Sequence, residues 1–175
     1  MISTAHTSEL DAAVLAAVRE LCDAAFEGDF GDEDWEHSLG GVHALVWEGG
    51  ELGGHGSVVQ RRLLHGGRAL RTGYVEAVAV RADRRGRGHG AGVMAALEGV
   101  VRRAYELGAL GAAEDAVGFY AARGWQVWRG PTSVLGPGGP ERTEDEDGGI
   151  FVLPVTAPLD LDGPLACDWR DGDVW

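Results

Sequence analysis

The chain has 175 residues, 45% of them hydrophobic, and a formal net charge of −13 with no lysine. This length predicts a single domain, residues 1–175, with one core, and so acidic a chain is not expected to bind nucleic acid, which needs clustered positive charge. No run approaches the roughly 18 apolar residues of a membrane helix and no secretory leader is recognisable, so we expect no membrane contact and a cytoplasmic location.

The N-terminal half of the chain alternates helix and strand patterns. Ser8 to Asp11 has the pattern of a capping box, and the apolar residues that follow recur at helical spacing, which predicts a first helix from about residue 9 to residue 26. An acidic segment, residues 28–41, is predicted to be a loop or a short helix. Strand candidates separated by glycine turns come next: residues 42–47, a run through residues 58–59, and residues 68–81.

The C-terminal half continues the alternation. Its predicted elements are a helix opening near residue 90, a short strand at 107–111, a helix at 113–122 with Gly124 as its stop, and strands at 125–128 and 150–153. Glycine, proline and acidic residues fill 136–149, which is predicted to be a loop. Alternating strands and helices indicate an α/β layered fold.

The strongest local pattern lies between a strand and a helix. The strand residues Val78, Ala79 and Val80 precede a glycine-rich stretch, Arg85-Gly86-Arg87-Gly88-His89-Gly90. Backbone amides in such a turn approach an anion closely, the helix N-terminus adds partial positive charge, and arginines supply counter-charge. No Gly-Lys-Ser/Thr follows, so this is not a nucleotide P-loop. The pattern predicts a pyrophosphate site, with a purely structural glycine turn as the alternative.

Acidic residues gather in three clusters, within residues 27–36, 144–147 and 168–175. Aromatic side chains interleave the first and the last, through Phe30, Trp35, Trp169 and Trp175. Any one cluster is explained as a solvated loop. Aromatic faces beside carboxylates also suit a ligand that combines ring faces with ammonium groups.

These motifs resemble known families. The spacing Arg85-x-x-Gly88-x-Gly90 after a Val-x-Val strand, with Tyr120 downstream, resembles the GNAT superfamily of acyl-CoA N-acyltransferases. Asp34-Trp35-Glu36-His37, Gly73-Tyr74-Val75-Glu76 and the ending from Cys167 to Trp175 are similar to the aminoglycoside 2'-N-acetyltransferases, over nearly the whole chain. The resemblance implies the GNAT fold, an α/β fold with a central, mixed but mostly antiparallel, twisted sheet flanked by helices.

The resemblance also implies a substrate, a cofactor and residues that bind them. Acetyl-CoA would lie along Val78, Ala79 and Val80, with its pyrophosphate on Arg85, Gly86, Arg87, Gly88, His89 and Gly90. An aminoglycoside would contact Asp29, Asp34, Glu76, Ala77, Gly111, Asp145, Glu146, Asp173 and Trp175. This chain departs from the usual pattern twice, with Gly111 where some relatives have serine and Glu146 where aspartate is more usual.

Direct attack of the amine on the thioester needs three kinds of catalytic group. Glu76 is the expected acceptor of the amine proton, with the carboxylate of Trp175 as a second candidate, although Glu76 is also explained as a structural partner of an arginine. The Val78 N–H is the expected oxyanion donor, and Tyr120 the expected acid for the departing thiolate, with a buried structural tyrosine as the alternative. No covalent acetyl-enzyme and no metal are expected, so the cysteines receive no role.

Three other interpretations remain open at this point. The chain could acetylate another amine, such as a polyamine, a peptide N-terminus or an amino-thiol conjugate. It could bind acetyl-CoA without catalysis, which the presence of both Glu76 and Tyr120 argues against. An acidic protein that masks a basic partner would have no use for the glycine-arginine loop. A homodimer is expected because dimers are common in the superfamily.

Overall fold

The computed structural model describes all residues, 1–175. Its internal contacts divide the chain into two compact units. Unit 1 comprises Met1–Val59 and Val75–Val100, and unit 2 comprises Gln60–Tyr74 and Val101–Trp175. None of the helices combines the length and the apolar composition that crossing a membrane requires.

Unit 1 is a small sheet with the strand order β1-β2-β3-β4, accompanied by helices. Its strands are β1 (Ile2–His6), β2 (Val42–Glu48), the first part of β3 (Glu51–His65) and the last part of β4 (Arg68–Val80). Its helices are α1 (Ala12–Ala25), α2 (Asp32–Ser38) and most of α3 (His89–Ala104). On one face of the sheet, Val18, Leu21 and Cys22 of α1 form a buried cluster with the strand residues Leu45, Leu52 and Ala79. On the other face, Val93 and Leu97 of α3 close over Gly56.

The first helix begins later than the sequence predicted. Asp11 is its N-cap, because Asp11 Oδ1 accepts the backbone N–H of Val14 at 2.9 Å. The Ser8 hydroxyl instead lies 2.8 Å from the His6 ring, and residues 7–9 form a separate 3₁₀ turn. The predicted Ser8 cap is therefore wrong, because that hydroxyl is engaged locally.

Unit 2 contains the remaining strands together with the end of β3 and the start of β4, in the order β6-β9-β5-β4-β3-β10-β7-β8. Its own elements are β5 (Leu107–Gly111), α4 (Val117–Ala121), β6 (Gln126–Val127), β7 (Thr132–Gly136), β8 (Gly139–Arg142), β9 (Ile150–Pro154) and β10 (Leu165–Asp168). The pairs β4/β5 and β7/β10 are parallel, whereas β5/β9, β6/β9, β7/β8 and β3/β10 are antiparallel. The predicted α/β class with a mixed, mostly antiparallel sheet is confirmed.

Unit 2 buries large apolar side chains, and both units bury their cysteine. Trp128 is fully buried, and its indole N–H donates to the Gly163 carbonyl at 2.9 Å. Cys22 and Cys167 are both free and buried. Desolvation raises the pKa of the Cys22 thiol to about 12 and that of Cys167 to about 11. Neither thiol is ionised at neutral pH, which agrees with assigning them no chemical role.

Candidate active site

Strand β4 contains a backbone irregularity at its centre. Ala77 has φ +50°, in the left-handed region, which costs a non-glycine residue about 1–2 kcal/mol. Beyond it the strand resumes: Ala77 and Ala79 pack towards the α1 cluster, whereas Val78 lies by Gly56 on the α3 side. Regular alternation along a strand would put Glu76 and Val78 on one face. Because the left-handed residue stands between them, alternation alone does not fix the direction of the half-buried Glu76.

The glycine-rich segment after β4 has the backbone of an anion site. Gly86 and Gly88 have φ +74° and +83°, and a Cβ added at either would meet nothing within 4 Å. Helix α3 begins at His89, and the Gly92 N–H bonds the Gly88 carbonyl. The amides of residues 89–91 precede that first bond, so they remain directed out of the helix end. This geometry fits the diphosphate of a coenzyme A group.

The arginines around this segment divide into two kinds. Arg81 and Arg84 both bond Glu51, at 3.0 and 2.5 Å, and Arg84 is buried. The charges of these two arginines are therefore paired with carboxylates of unit 1 and are less available to a ligand. Arg85 and Arg87 are exposed and belong to the predicted pyrophosphate segment, although Arg87 also lies 3.6 Å from a carboxylate oxygen of Glu48.

The N-terminal acidic residues of unit 1 are placed at or before α2. Asp29 is exposed in the turn before that helix. Asp34 lies in the first turn, and its Oδ2 accepts the Gly31 N–H at 2.7 Å. Asp34, predicted to bind substrate, therefore also fixes the start of a helix, a second role that was not predicted from the sequence.

Unit 2 brings together four of the predicted substrate residues. Burial, Asp173 and Asp145 all raise the pKa of Glu146. Asp173 Oδ1 accepts the Trp175 N–H at 3.0 Å, and the buried Trp175 indole donates to Thr143 at 2.9 Å. Asp145, Glu146 and Asp173, which we call the acidic cluster, thus lie near one another, and Asp173 also bonds the backbone of Trp175. Burial is the largest cause of the raised pKa of Glu146, and the charges of Asp173 and Asp145 raise it further, so a cation bound beside Glu146 would offset both effects.

Arg170 fixes the segment that contains Asp173 and Trp175. Its Nε donates to the Asp173 carbonyl at 2.7 Å and its Nη2 to Trp175 O at 2.8 Å. Its guanidinium also lies 5.5 Å from the centroid of the Tyr74 ring. Arg170 therefore fixes the backbone of two predicted substrate residues, Asp173 and Trp175. This role was not predicted from the sequence of the C-terminal motif.

The two other predicted site residues of unit 2 lie on β5 and α4. Gly111 ends β5, where an added Cβ would meet nothing closer than 3.9 Å, so a serine would fit there. Tyr120 is buried in α4, with its ring centroid 6.3 Å from Trp125 and 6.5 Å from Phe151. Burial raises the pKa of Tyr120, so its hydroxyl is protonated at neutral pH and available as a donor.

Two buried histidines of unit 1, His43 and His55, were not predicted from the sequence. The ring of His55 lies 3.0 Å from the Ala77 carbonyl oxygen, at the irregularity of β4. A signal was present in the sequence: each histidine interrupts an otherwise apolar or glycine-rich strand. Because a buried polar side chain must be hydrogen-bonded, such positions indicate a specific partner.

Comparison with known proteins places this geometry in a class. Residues 6–128 match the profile of the acetyltransferase (GNAT) domain. Solved structures of the same fold include Escherichia coli ElaA, 20% identical with a TM-score of 0.62, covering 89% of this chain and 98% of that one. A GNAT family acetyltransferase from Brucella melitensis in complex with acetyl-CoA is 16% identical, with a TM-score of 0.59, covering 91% and 92% of the two chains. The chain is therefore an acetyltransferase of the GNAT superfamily.

A closer likeness identifies the family within that class. An aminoglycoside 2'-N-acetyltransferase from Mycolicibacterium fortuitum is 56% identical over 174 residues, which covers 97% of this chain and 89% of the relative. The chain belongs to the aminoglycoside 2'-N-acetyltransferase family. Both resemblances drawn from the sequence are thereby confirmed.

Proposed function

We propose that this protein transfers the acetyl group of acetyl-CoA to the 2'-amine of aminoglycosides. The acidic cluster is the observation that carries the proposal. Its three neighbouring carboxylates, one of which bonds the backbone of Trp175, match a ligand that carries several ammonium groups. The activity named for the Mycolicibacterium fortuitum relative, at 56% identity, supports the same substrate.

The residues present also fit acetyl-CoA, the acyl donor of GNAT acetyltransferases. The open glycine turn and the amides at the start of α3 suit its diphosphate, flanked by Arg85 and Arg87. Val78, Ala79 and Val80 form the strand along which its pantetheine would pair. When bound, acetyl-CoA supplies an acyl group activated as a thioester.

Four residues of the chain are assigned roles in the transfer. Glu76 accepts the proton that the aminoglycoside ammonium loses before or during attack, with the Trp175 carboxylate as the second candidate. The Val78 N–H donates to the acyl carbonyl oxygen as negative charge develops there, while the new C–N bond forms. Tyr120 donates its proton to the sulfur as the C–S bond breaks, and its raised pKa keeps that proton in place until then.

The number of carboxylates sets the expected affinity. A charge-assisted hydrogen bond contributes roughly 1.5–3 kcal/mol when partly shielded, and an exposed ion pair only about 0–1 kcal/mol. Glu146 is half-buried, whereas Asp145 and Asp173 are exposed. Three or four such pairs, several of them partly shielded by the bound sugar, support micromolar affinity after the cost of association.

The homodimer and the cytoplasmic location expected from the sequence stay predictions.

A matched pair of substrates tests the proposal. Kanamycin B carries an amine at the 2' position, where kanamycin A carries a hydroxyl. We expect the purified protein with acetyl-CoA to acetylate only kanamycin B, with NMR placing the acetyl group on the 2' nitrogen. Equal acetylation of both, or a clearly higher kcat/KM for a polyamine or a peptide N-terminus, would refute the proposed substrate.

A further inference from the structure

Two buried histidines link the surface of unit 1 to the irregularity in β4. His43 Nδ1 lies 2.9 Å from His55 Nε2, and His55 Nδ1 lies 3.0 Å from the Ala77 carbonyl oxygen. At the outer end, Thr7 Oγ1 lies 2.8 Å from His43 Nε2 and accepts the Gly40 N–H at 2.9 Å. Both imidazoles are fully buried. We call Thr7, His43 and His55 the histidine chain.

The position of each proton in the histidine chain follows from its inner end. A carbonyl oxygen only accepts, so His55 Nδ1 carries the hydrogen that bonds Ala77. A neutral imidazole has one N–H, so His55 Nε2 accepts from His43 Nδ1. His43 Nε2 then accepts from the Thr7 hydroxyl, whose other acceptor in reach, the Gly41 carbonyl at 3.2 Å, already receives the Thr7 N–H. Every polar atom of the chain is satisfied only if both rings are Nδ1–H tautomers.

Both imidazole rings are neutral at pH values near 7. Burial lowers the pKa of His55 to about 3, and burial together with the charge of His6 lowers that of His43 to about 4. Cys22 Sγ lies 4.0 Å from His55 Nδ1, and its raised thiol pKa leaves it uncharged. The histidine chain is therefore a row of fixed dipoles, because none of its members changes charge near neutral pH.

The inner end of the histidine chain bonds the peptide group that matters for the reaction. The Ala77 carbonyl and the Val78 N–H belong to one planar peptide group, so a hydrogen bond that fixes one also fixes the direction of the other. Ala77 is held at φ +50°, a strained conformation that requires support from its surroundings. His55 supplies that support, and its bond polarises the peptide, which strengthens the N–H as a donor.

We propose that the histidine chain is a positioning device that holds the Val78 N–H in the direction needed to stabilise charge on the acyl oxygen. This inference rests on the proposed function, in which Val78 is the oxyanion donor. His43, His55 and Thr7 touch neither substrate in this role and act only through the peptide group between Ala77 and Val78.

Substitutions of His55 separate positioning from packing. His55→Leu removes the bond to Ala77, and we expect kcat to fall roughly tenfold to a hundredfold, short of the loss from deleting an oxyanion donor outright. The KM values for acetyl-CoA and aminoglycoside should change by less than about twofold, since His55 itself contacts neither ligand in this role. His55→Asn places an amide N–H near the position of Nδ1 and should restore most of kcat.

A matched control exists in unit 2. His65 Nδ1 lies 2.9 Å from the Pro164 carbonyl, and His65 Nε2 accepts the Asp160 N–H at 3.0 Å, so its bonding resembles that of His55. His65→Leu should leave kcat unchanged. If His55→Leu keeps the kcat of an active wild type, the inference is wrong and the proposed function stands. A wild type that acetylates no amine overturns the proposed function, and this role with it.

A second variant and a spectrum keep the test decisive if His55→Leu does not fold. Thr7→Val is nearly isosteric and removes only the outermost hydroxyl, so it should lower kcat by about threefold, as expected when one distant hydrogen bond is lost. Nitrogen-15 NMR of the histidine rings in the full chain should show both as neutral Nδ1–H tautomers. An unchanged kcat in Thr7→Val, or an Nε2–H or charged state of either ring, overturns the inference.

Discussion

Asp173 of the acidic cluster has two roles, a negative charge and a structural hydrogen bond. A useful substitution removes the charge and keeps the bond. Asp173 carries a negative charge, and its Oδ1 also accepts the Trp175 N–H. Asparagine keeps an acceptor oxygen at that position and loses the charge. Asp171, two residues earlier, is exposed and is assigned no role in the site, which makes it a control for a charge lost from the same segment.

Asp173→Asn should therefore raise the KM for a cationic aminoglycoside by about threefold to tenfold, the loss expected for one partly screened charge pair. The KM for acetyl-CoA should be unchanged. Steady-state kinetics of Asp173→Asn and Asp171→Asn, side by side, measure the difference. Equal KM values for the aminoglycoside in the two variants would remove Asp173 from the binding site.

At the scale of single residues, the sequence indicated which side chains could have a functional role, but not which partners they bond. The glycine turn before α3 was predicted, because its motif is local, and the residues of the acidic cluster were implied by the family resemblance; their binding roles stay predictions. The bonds of Asp34 to Gly31, of Arg84 to Glu51 and of His55 to Ala77 were not predicted, because each depends on where a turn or a neighbouring strand places a partner.

Elements whose pattern is local were predicted well, and elements that depend on pairing were missed. The glycine turns at 49–50 and 66–67, strand β4 and the 107–111 strand agree with the structure. The missed strands are β1, β7, β8 and β10. They are four or five residues long and lack clear alternation, and β8 lies in the segment predicted to be a loop. Their existence depends on partners far along the chain, and local propensity does not encode such partners.

The glycine segment between β4 and α3 gives a prediction for an element. Gly88→Ala places a side chain at φ +83° in open space, so the strain of about 1–2 kcal/mol is relieved by a shift of the backbone amides. We expect the Kd for acetyl-CoA to rise roughly tenfold, which corresponds to about 1.4 kcal/mol. Gly66→Ala, at φ +58° in the hairpin turn and also in open space, is the matched control. Calorimetric titration that finds the same Kd for both variants would contradict a diphosphate site at Gly88.

For the molecule as a whole, stability should depend on acid through the buried histidines. The pKa values of His43 and His55 in the folded protein, about 4 and about 3, lie below the usual 6.5. Below pH 6.5 the unfolded chain therefore binds more protons than the folded one, and stability falls as pH decreases, until the folded pKa values are reached. Asp147, whose pKa is lowered chiefly by Arg142, adds to the loss only below its ordinary value of 3.8. Glu146, with its raised pKa, contributes with the opposite sign.

The free energy of unfolding should accordingly fall with a slope approaching about 1.4 kcal/mol per pH unit for each buried imidazole, between about pH 6 and pH 4.5. Urea denaturation at a series of pH values in this range measures the slope. The double variant His43→Asn, His55→Asn, which has no group to titrate at these positions, should give a flatter profile. A wild-type profile as flat as that of the double variant would show that the two rings are not held neutral.

The burial of both cysteines, 145 residues apart in sequence, has a practical consequence for enzymology. Chromogenic disulfide reagents, which release a coloured thiolate on exchange, react with ionised thiols. Neither Cys22 nor Cys167 ionises near neutral pH. The thiol of coenzyme A, which is released in each turnover, is then the thiol that reacts with the reagent. A continuous colorimetric assay of released coenzyme A should therefore start from a flat baseline. Neither cysteine needs to be blocked or substituted for this assay.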